Sequence, residues 1–146
     1  MALKLFYIYY EQNITFMSKK KLFSLEYVFQ ASPQLLYQYL STPSGLSEWF
    51  ADNVNSRGEN FLFIWDDTEE KAKLIQNKSN ERIRFQWDNG NEEDADYFFE
   101  FKIEVDEITK DVSLVVSDFA DEDEYEESKL LWDSLISDLK QVLGSS

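Results

Sequence analysis

The chain has 146 residues, sets 29 acidic against 14 basic side chains for a net charge of −15, and is 43% apolar. At that length one domain buries an ordinary core, and 12 Phe, 8 Tyr and 4 Trp against 4 Gly and 2 Pro are the composition of a folded protein, not of a disordered acidic tail. So acidic a surface repels phosphate backbones and anionic headgroups, which sets aside nucleic acid and membranes as partners, and the absence of Cys and His excludes disulfides, thiolate nucleophiles, the commonest general base and the usual transition-metal ligands.

The apolar run from Leu5 to Tyr10 is too short to span a membrane, and no small-residue cleavage site follows it. Met17-Ser18-Lys19-Lys20-Lys21 has the form of a cytoplasmic N-terminus. Residues 1–16 therefore read as an N-terminal extension, either an upstream start or a disordered segment, with a genuine N-terminal strand as the alternative. Residues 17–146 read as a single cytoplasmic domain.

From Phe23 the apolar side chains alternate through Leu25, Tyr27 and Phe29, the pattern of a half-buried strand. Ser32-Pro33 is a helix start, since the serine oxygen accepts an orphan N–H and proline suits the first helical position. That helix carries Leu35, Leu36, Tyr39 and Leu40 to Ser41. Pro43 and Gly45 are expected to break it, and Ser44 to cap a second short helix bearing Leu46, Trp49 and Phe50.

Alternating runs follow: Phe61, Phe63 and Trp65; Ala72 and Leu74; Ile83, Phe85 and Trp87; Tyr97 to Val105; and Val112, Leu114 and Val116. Short polar turns join them, so they predict one antiparallel sheet with an aromatic face that something must cover. The cover is a helix from about Asp123 to Leu143, where Trp132, Leu135, Ile136, Leu139, Val142 and Leu143 recur at helical spacing before Gly144 at the C-cap. Its acidic first turn and Lys140 in its last both complement the helix dipole.

A strand, a paired-helix insertion and a sheet gripping a long terminal helix describe an α+β chain of the helix-grip type, and the sequence resembles the START-like superfamily. The stretch from Ser32 through Pro43, Trp49 and Phe50 is similar to the helical segment of the branch related to the activator of the ninety-kilodalton heat-shock chaperone's ATPase. Phe61 to Trp65, Ile83 to Trp87 and the Trp132 helix fall in the order that branch has. The resemblance covers roughly residues 21 to 143. It departs after Phe50, where many relatives have a glycine-rich segment and this chain keeps only Gly58. The resemblance implies an antiparallel sheet curved around a long C-terminal helix, with two short helices after the first strand. It also implies a hydrophobic ligand cavity between sheet and helix.

Candidate lining residues are Tyr27, Phe29, Trp49, Phe50, Phe63, Trp65, Phe85, Trp87, Phe99, Phe101, Trp132 and Ile136. Such rings either line a cavity for an apolar ligand or fill the interior as solid core. Arg82 and Arg84 lie opposite Ile83 and Phe85, placed to pair with Glu100, Glu104 or other acids across strands. The alternative is that one of them points inward, against the alternation, to hold a ligand carboxylate. Glu48 and Asp52 flank Trp49-Phe50 at the expected cavity mouth, but acid–base catalysis would need one of them in an apolar setting. The acidic loop from Asp88 fails the calcium-loop pattern, with Glu93 at its sixth position and Phe99 at its twelfth.

No cofactor and no metal site are therefore expected. The leading functional reading is a non-enzymatic module holding a small hydrophobic or amphipathic ligand, as monomer or homodimer. The alternative is an acidic protein-interaction module, chaperone-linked by the resemblance, and a cyclase- or hydrolase-like enzyme ranks third. The charge is regional, because residues 88–127 hold 17 acids against Lys102 and Lys110 while the remainder of the chain sums to zero. A basic protein partner is expected on that region.

Overall fold

The computed structural model describes residues 20–90, 92 and 96–144; the expectations for residues 1–16 lie outside them. Strand β1 (Lys21–Phe29) leads into helices α1 (Pro33–Ser41) and α2 (Pro43–Leu46). Strands β2 (Asn53–Arg57), β3 (Asn60–Trp65), β4 (Thr68–Lys78), β5 (Arg82–Trp87), β6 (Phe98–Val105) and β7 (Val112–Ala120) follow. A 3₁₀ turn at Glu122–Glu124 then opens helix α3 (Tyr125–Leu143). The seven strands form one antiparallel sheet in the order β1-β7-β6-β5-β4-β3-β2, curved around α3, which is the helix-grip architecture.

Register explains the aromatic interior. Tyr27 faces Leu114, Phe101 faces Val116, Phe85 faces Phe99, and Val54 faces Phe63, so inward residues of neighbouring strands meet side by side. Arg84 faces Glu100 on the outer side, as its sequence position implied. Its Nη2 lies 3.0 Å from the Glu100 carboxylate and its guanidinium 4.0 Å above the Phe98 ring, while Arg82 Nε approaches the same carboxylate at 3.5 Å. Both arginines thus belong to the convex face.

Local capping follows the sequence in two places and departs from it in one. Ser32 Oγ accepts the Leu35 N–H at 3.1 Å with Pro33 at the first helical position, and Gly144 closes α3 with φ of 69°. Helix α2, however, is capped by Thr42, whose Oγ1 accepts the Gly45 N–H at 3.0 Å. Pro43 starts that helix instead of breaking the previous one, because its missing N–H is one that the first turn leaves unpaired. Gly45 sits within α2, and Trp49 and Phe50 lie in the turn beyond it.

Strand β2 has no counterpart in the sequence reading. Its residues Asn53 to Arg57 hold one apolar side chain, Val54, so an edge strand that buries a single residue shows no alternation. Strand β4 also runs longer than Ala72 and Leu74 suggest, through a register shift between Leu74 and Gln76.

At the entry to α3, burial raises the carboxyls of Asp121 and Glu124 above the ordinary range, and Asp121 raises Glu124 further. A carboxyl whose folded value is raised stabilises the fold below its unfolded value and becomes a cost as pH rises through the folded one. Melting curves of Glu124→Gln against wild type should therefore favour the variant increasingly from about pH 4 towards pH 7. A difference that does not change with pH would show that Glu124 carries no such cost.

Candidate functional site

The space beneath α3 is occupied by rings. Phe50 stacks on Trp132 at 5.9 Å between centroids and on Phe99 at 5.2 Å, and Phe99 stacks in turn on Phe85 at 5.0 Å. Trp87 sits 5.0 Å from Phe99, and Phe63 lies 5.5 Å from Phe85. Phe50, Phe63, Phe85, Phe99, Phe101, Trp132 and Ile136 are all buried, as are Phe29 and Trp87. Most of the rings expected around a cavity thus pack on one another as core.

One open volume lies at the mouth of the grip. A cleft of about 780 Å³ runs between the Ser47–Asp52 turn, the β3–β4 turn at Trp65–Thr68, and the outer turns of α3. Trp49, Phe50 and Trp65 are the predicted residues that line it. Tyr27, Phe29, Phe63, Phe85, Trp87, Phe99, Phe101, Trp132 and Ile136 lie elsewhere. Ala51, Leu131, Leu135 and Val142 complete its apolar floor, and Glu48, Asp52, Asp66 and Asp138 stand among its polar lining. The helical spacing of Leu131, Leu135, Asp138 and Val142 was available in the sequence, but only the seating of α3 shows which stripe meets the Trp49 turn.

The walls are held by specific bonds. Trp49 Nε1 donates to the Tyr39 carbonyl and Trp65 Nε1 to the Phe50 carbonyl, both at 2.8 Å. With both indole N–H groups engaged by backbone, what the half-buried Trp65 and the buried Trp49 present to the cleft is carbon. Asp52 Oδ2 accepts the Asp66 N–H at 2.8 Å, and the Asp52 N–H donates to the Ile64 carbonyl at 3.0 Å. These bonds tie the α2–β2 connection to the β3–β4 turn, where Asp66 takes a left-handed conformation with φ of 42°.

Tyr27 stands apart from this cleft. Its hydroxyl donates to Asp133 Oδ1 at 2.7 Å, and burial together with that bond pushes the phenol well above its ordinary range. The same bond, helped by Lys129, holds the Asp133 carboxyl low. Glu48 and Asp52 are exposed, outside the apolar setting that acid–base work demands. Among the described residues the Glu70 carboxylate faces inward, buried opposite Phe63, although it does not line the cleft.

The acidic stretch of residues 88–127 is contiguous in sequence but divided in space. Phe98 and Phe119 meet at 5.0 Å, so the described residues between β5 and β6 (88–90, 92 and 96–97) and the β7–α3 junction share one end of the sheet. The β6–β7 turn, where Asp106 Oδ1 accepts the Ile108 and Thr109 N–H groups, lies at the other end. Those two bonds keep the Asp106 carboxyl below its usual range. No group of three acids among the described residues is disposed to hold a metal ion, and no helix among them is long and apolar enough to cross a membrane.

A model of the START-like superfamily domain matches residues 17–145. The solution structure of BfR322 from Bacteroides fragilis is 35% identical, with a TM-score of 0.62 over 86% of this chain and 92% of that one. The Aha1 dimer from Colwellia psychrerythraea is 18% identical with a TM-score of 0.73, covering 84% of this chain and 96% of its own. Protein BH1534 from Bacillus halodurans is 15% identical with a TM-score of 0.68, over 87% of this chain and 99% of that one. The last two likenesses concern the fold alone. Among curated proteins no relative matches the chain.

Proposed function

This chain belongs to the START-like superfamily, and from that premise we propose that it is a non-enzymatic binding module that holds a small amphipathic molecule in the cleft at the mouth of the grip. The observation that carries this reading is the cleft itself, with its apolar floor and charged rim. Its volume of about 780 Å³ lies in the range of ordinary small-molecule sites, roughly 300–1,000 Å³. Trp65, half-buried, and the small exposed part of Trp49 are assigned to ligand contact, and the buried Phe50 ring packs against both from behind.

Native mass spectrometry of freshly purified protein, followed by denaturation, tests the reading. A small molecule should accompany the folded chain, leave on denaturation, and be lost from a folded Leu135→Trp variant whose added ring fills the cleft. A bare polypeptide mass, together with no spectral response of Trp49 or Trp65 to added amphiphiles, would remove the reading.

The competing reading is an acidic protein-interaction module. It draws on the end of the sheet where the segment after β5 and the β7–α3 junction meet. A basic partner bound there should dissociate progressively as salt is raised, so retention that ignores ionic strength sets this reading aside.

A further inference from the structure

The cleft is one-sided in charge as well as in shape. Glu48, Asp52, Asp66 and Asp138 line it, no Lys or Arg does, and none of the four makes an ion pair among the described residues. These acids lie outside residues 88–127, in the part of the chain whose charges sum to zero, so the local excess arises only on folding.

The carboxylates come from three elements around an apolar floor and do not converge as a metal centre would require. An anion entering here meets only like charge, and a neutral apolar molecule gains the floor alone. An organic cation gains both the floor and the rim, and the half-buried Trp65 ring adds an aromatic surface favourable to ammonium or guanidinium groups.

We propose that the cleft selects small amphiphiles carrying a positive charge on an apolar body. The proposal rests on the reading of this cleft as the ligand site, and it fixes the class of ligand that the site takes.

Decyltrimethylammonium, decyl maltoside and decyl sulfate share one apolar chain and differ in headgroup charge. Each is titrated below its micelle concentration while the indole N–H signals of the four tryptophans are followed by two-dimensional NMR. The cationic probe should shift Trp49 and Trp65, bind about tenfold more tightly than the neutral one, and lose that advantage as salt rises, with the sulfate weakest. In a folded Glu48→Gln/Asp138→Asn variant the ratio of cationic to neutral affinity should fall about fivefold. That variant also separates the cleft from the acidic end of the sheet, where a cation attracted non-specifically would be unaffected.

Equal affinities for the cationic and neutral probes, with Trp49 and Trp65 still shifting, overturn the charge selectivity and leave the ligand site standing. An unchanged ratio in the double variant overturns it as well. If no probe shifts Trp49 or Trp65, the site reading falls and the selectivity falls with it.

Discussion

Replacing Trp132 by alanine should cost about 3–5 kcal/mol, a large share of the roughly 5–15 kcal/mol that holds a domain of this kind together. The indole is fully buried, stacks on Phe50 at 5.9 Å and meets Phe101 edge-on at 6.0 Å. Its removal takes away a central contact between α3 and the sheet, and the ring partners around it cannot collapse into the space without leaving their own stacks. Trp132→Phe separates two contributions. It keeps a ring in place but deletes the N–H that Asp118 Oδ2 accepts at 3.0 Å, a loss of about 1–2 kcal/mol. Denaturant unfolding of both variants checks the order. An alanine variant no less stable than the phenylalanine one would mean that packing at Trp132 does not carry the grip.

Gly45→Ala should also be strongly destabilising, although it adds only a methyl group. A Cβ there would lie 2.4 Å from the Gln38 carbonyl oxygen and 2.6 Å from the Tyr39 Cα. Both are backbone atoms of α1, so no side-chain rotation relieves the clash and α2 must move off α1. Overpacking of this kind costs about 1–3 kcal/mol, and here the displacement reaches further. Leu46, fully buried, is the next residue, and the bond from Trp49 Nε1 to the Tyr39 carbonyl spans the same junction. The expected result is a lower denaturation midpoint together with a shifted Trp49 indole signal. A stable variant with an unchanged Trp49 signal would show that the two helices have room to separate.

Gly45 also shows how far local reasoning reaches. In the sequence it reads as a helix breaker beside Pro43, because glycine and proline interrupt helices by backbone entropy and a missing donor. In the structure both residues lie inside α2, proline because the first turn needs no donor from it and glycine because another helix backbone passes where a side chain would be. Only the second of these reasons depends on a partner distant from the helix itself. The Ser32 cap, by contrast, was legible because donor and acceptor lie three residues apart.

The candidate site divides in the same way. Trp49, Phe50 and Trp65 are prominent in the sequence as large rings in the expected places, and they do line the cleft. Leu131, Leu135, Asp66 and Asp138 are not prominent, since each is one of many similar residues until α3 and the β3–β4 turn are brought beside the Trp49 turn. Counting charge along the chain pointed to residues 88–127 as one acidic region. Folding sends that stretch to both ends of the sheet and assembles another acidic group from the balanced remainder.

The sequence by itself determined the order of the helices and of every strand but β2, the inward face of nearly every strand, the outward placing of Arg82 and Arg84, and the START-like family. These follow from short-period alternation and capping, whose causes lie within a few residues or one strand away. Tertiary structure alone decided that the rings close the interior, that β2 adds an edge to the sheet, and that an open cleft forms at an acid-rimmed mouth. Each of these depends on how bulky side chains from sequence-distant elements share one space. Packing is a property of the assembled volume, and no segment of the chain carries it locally.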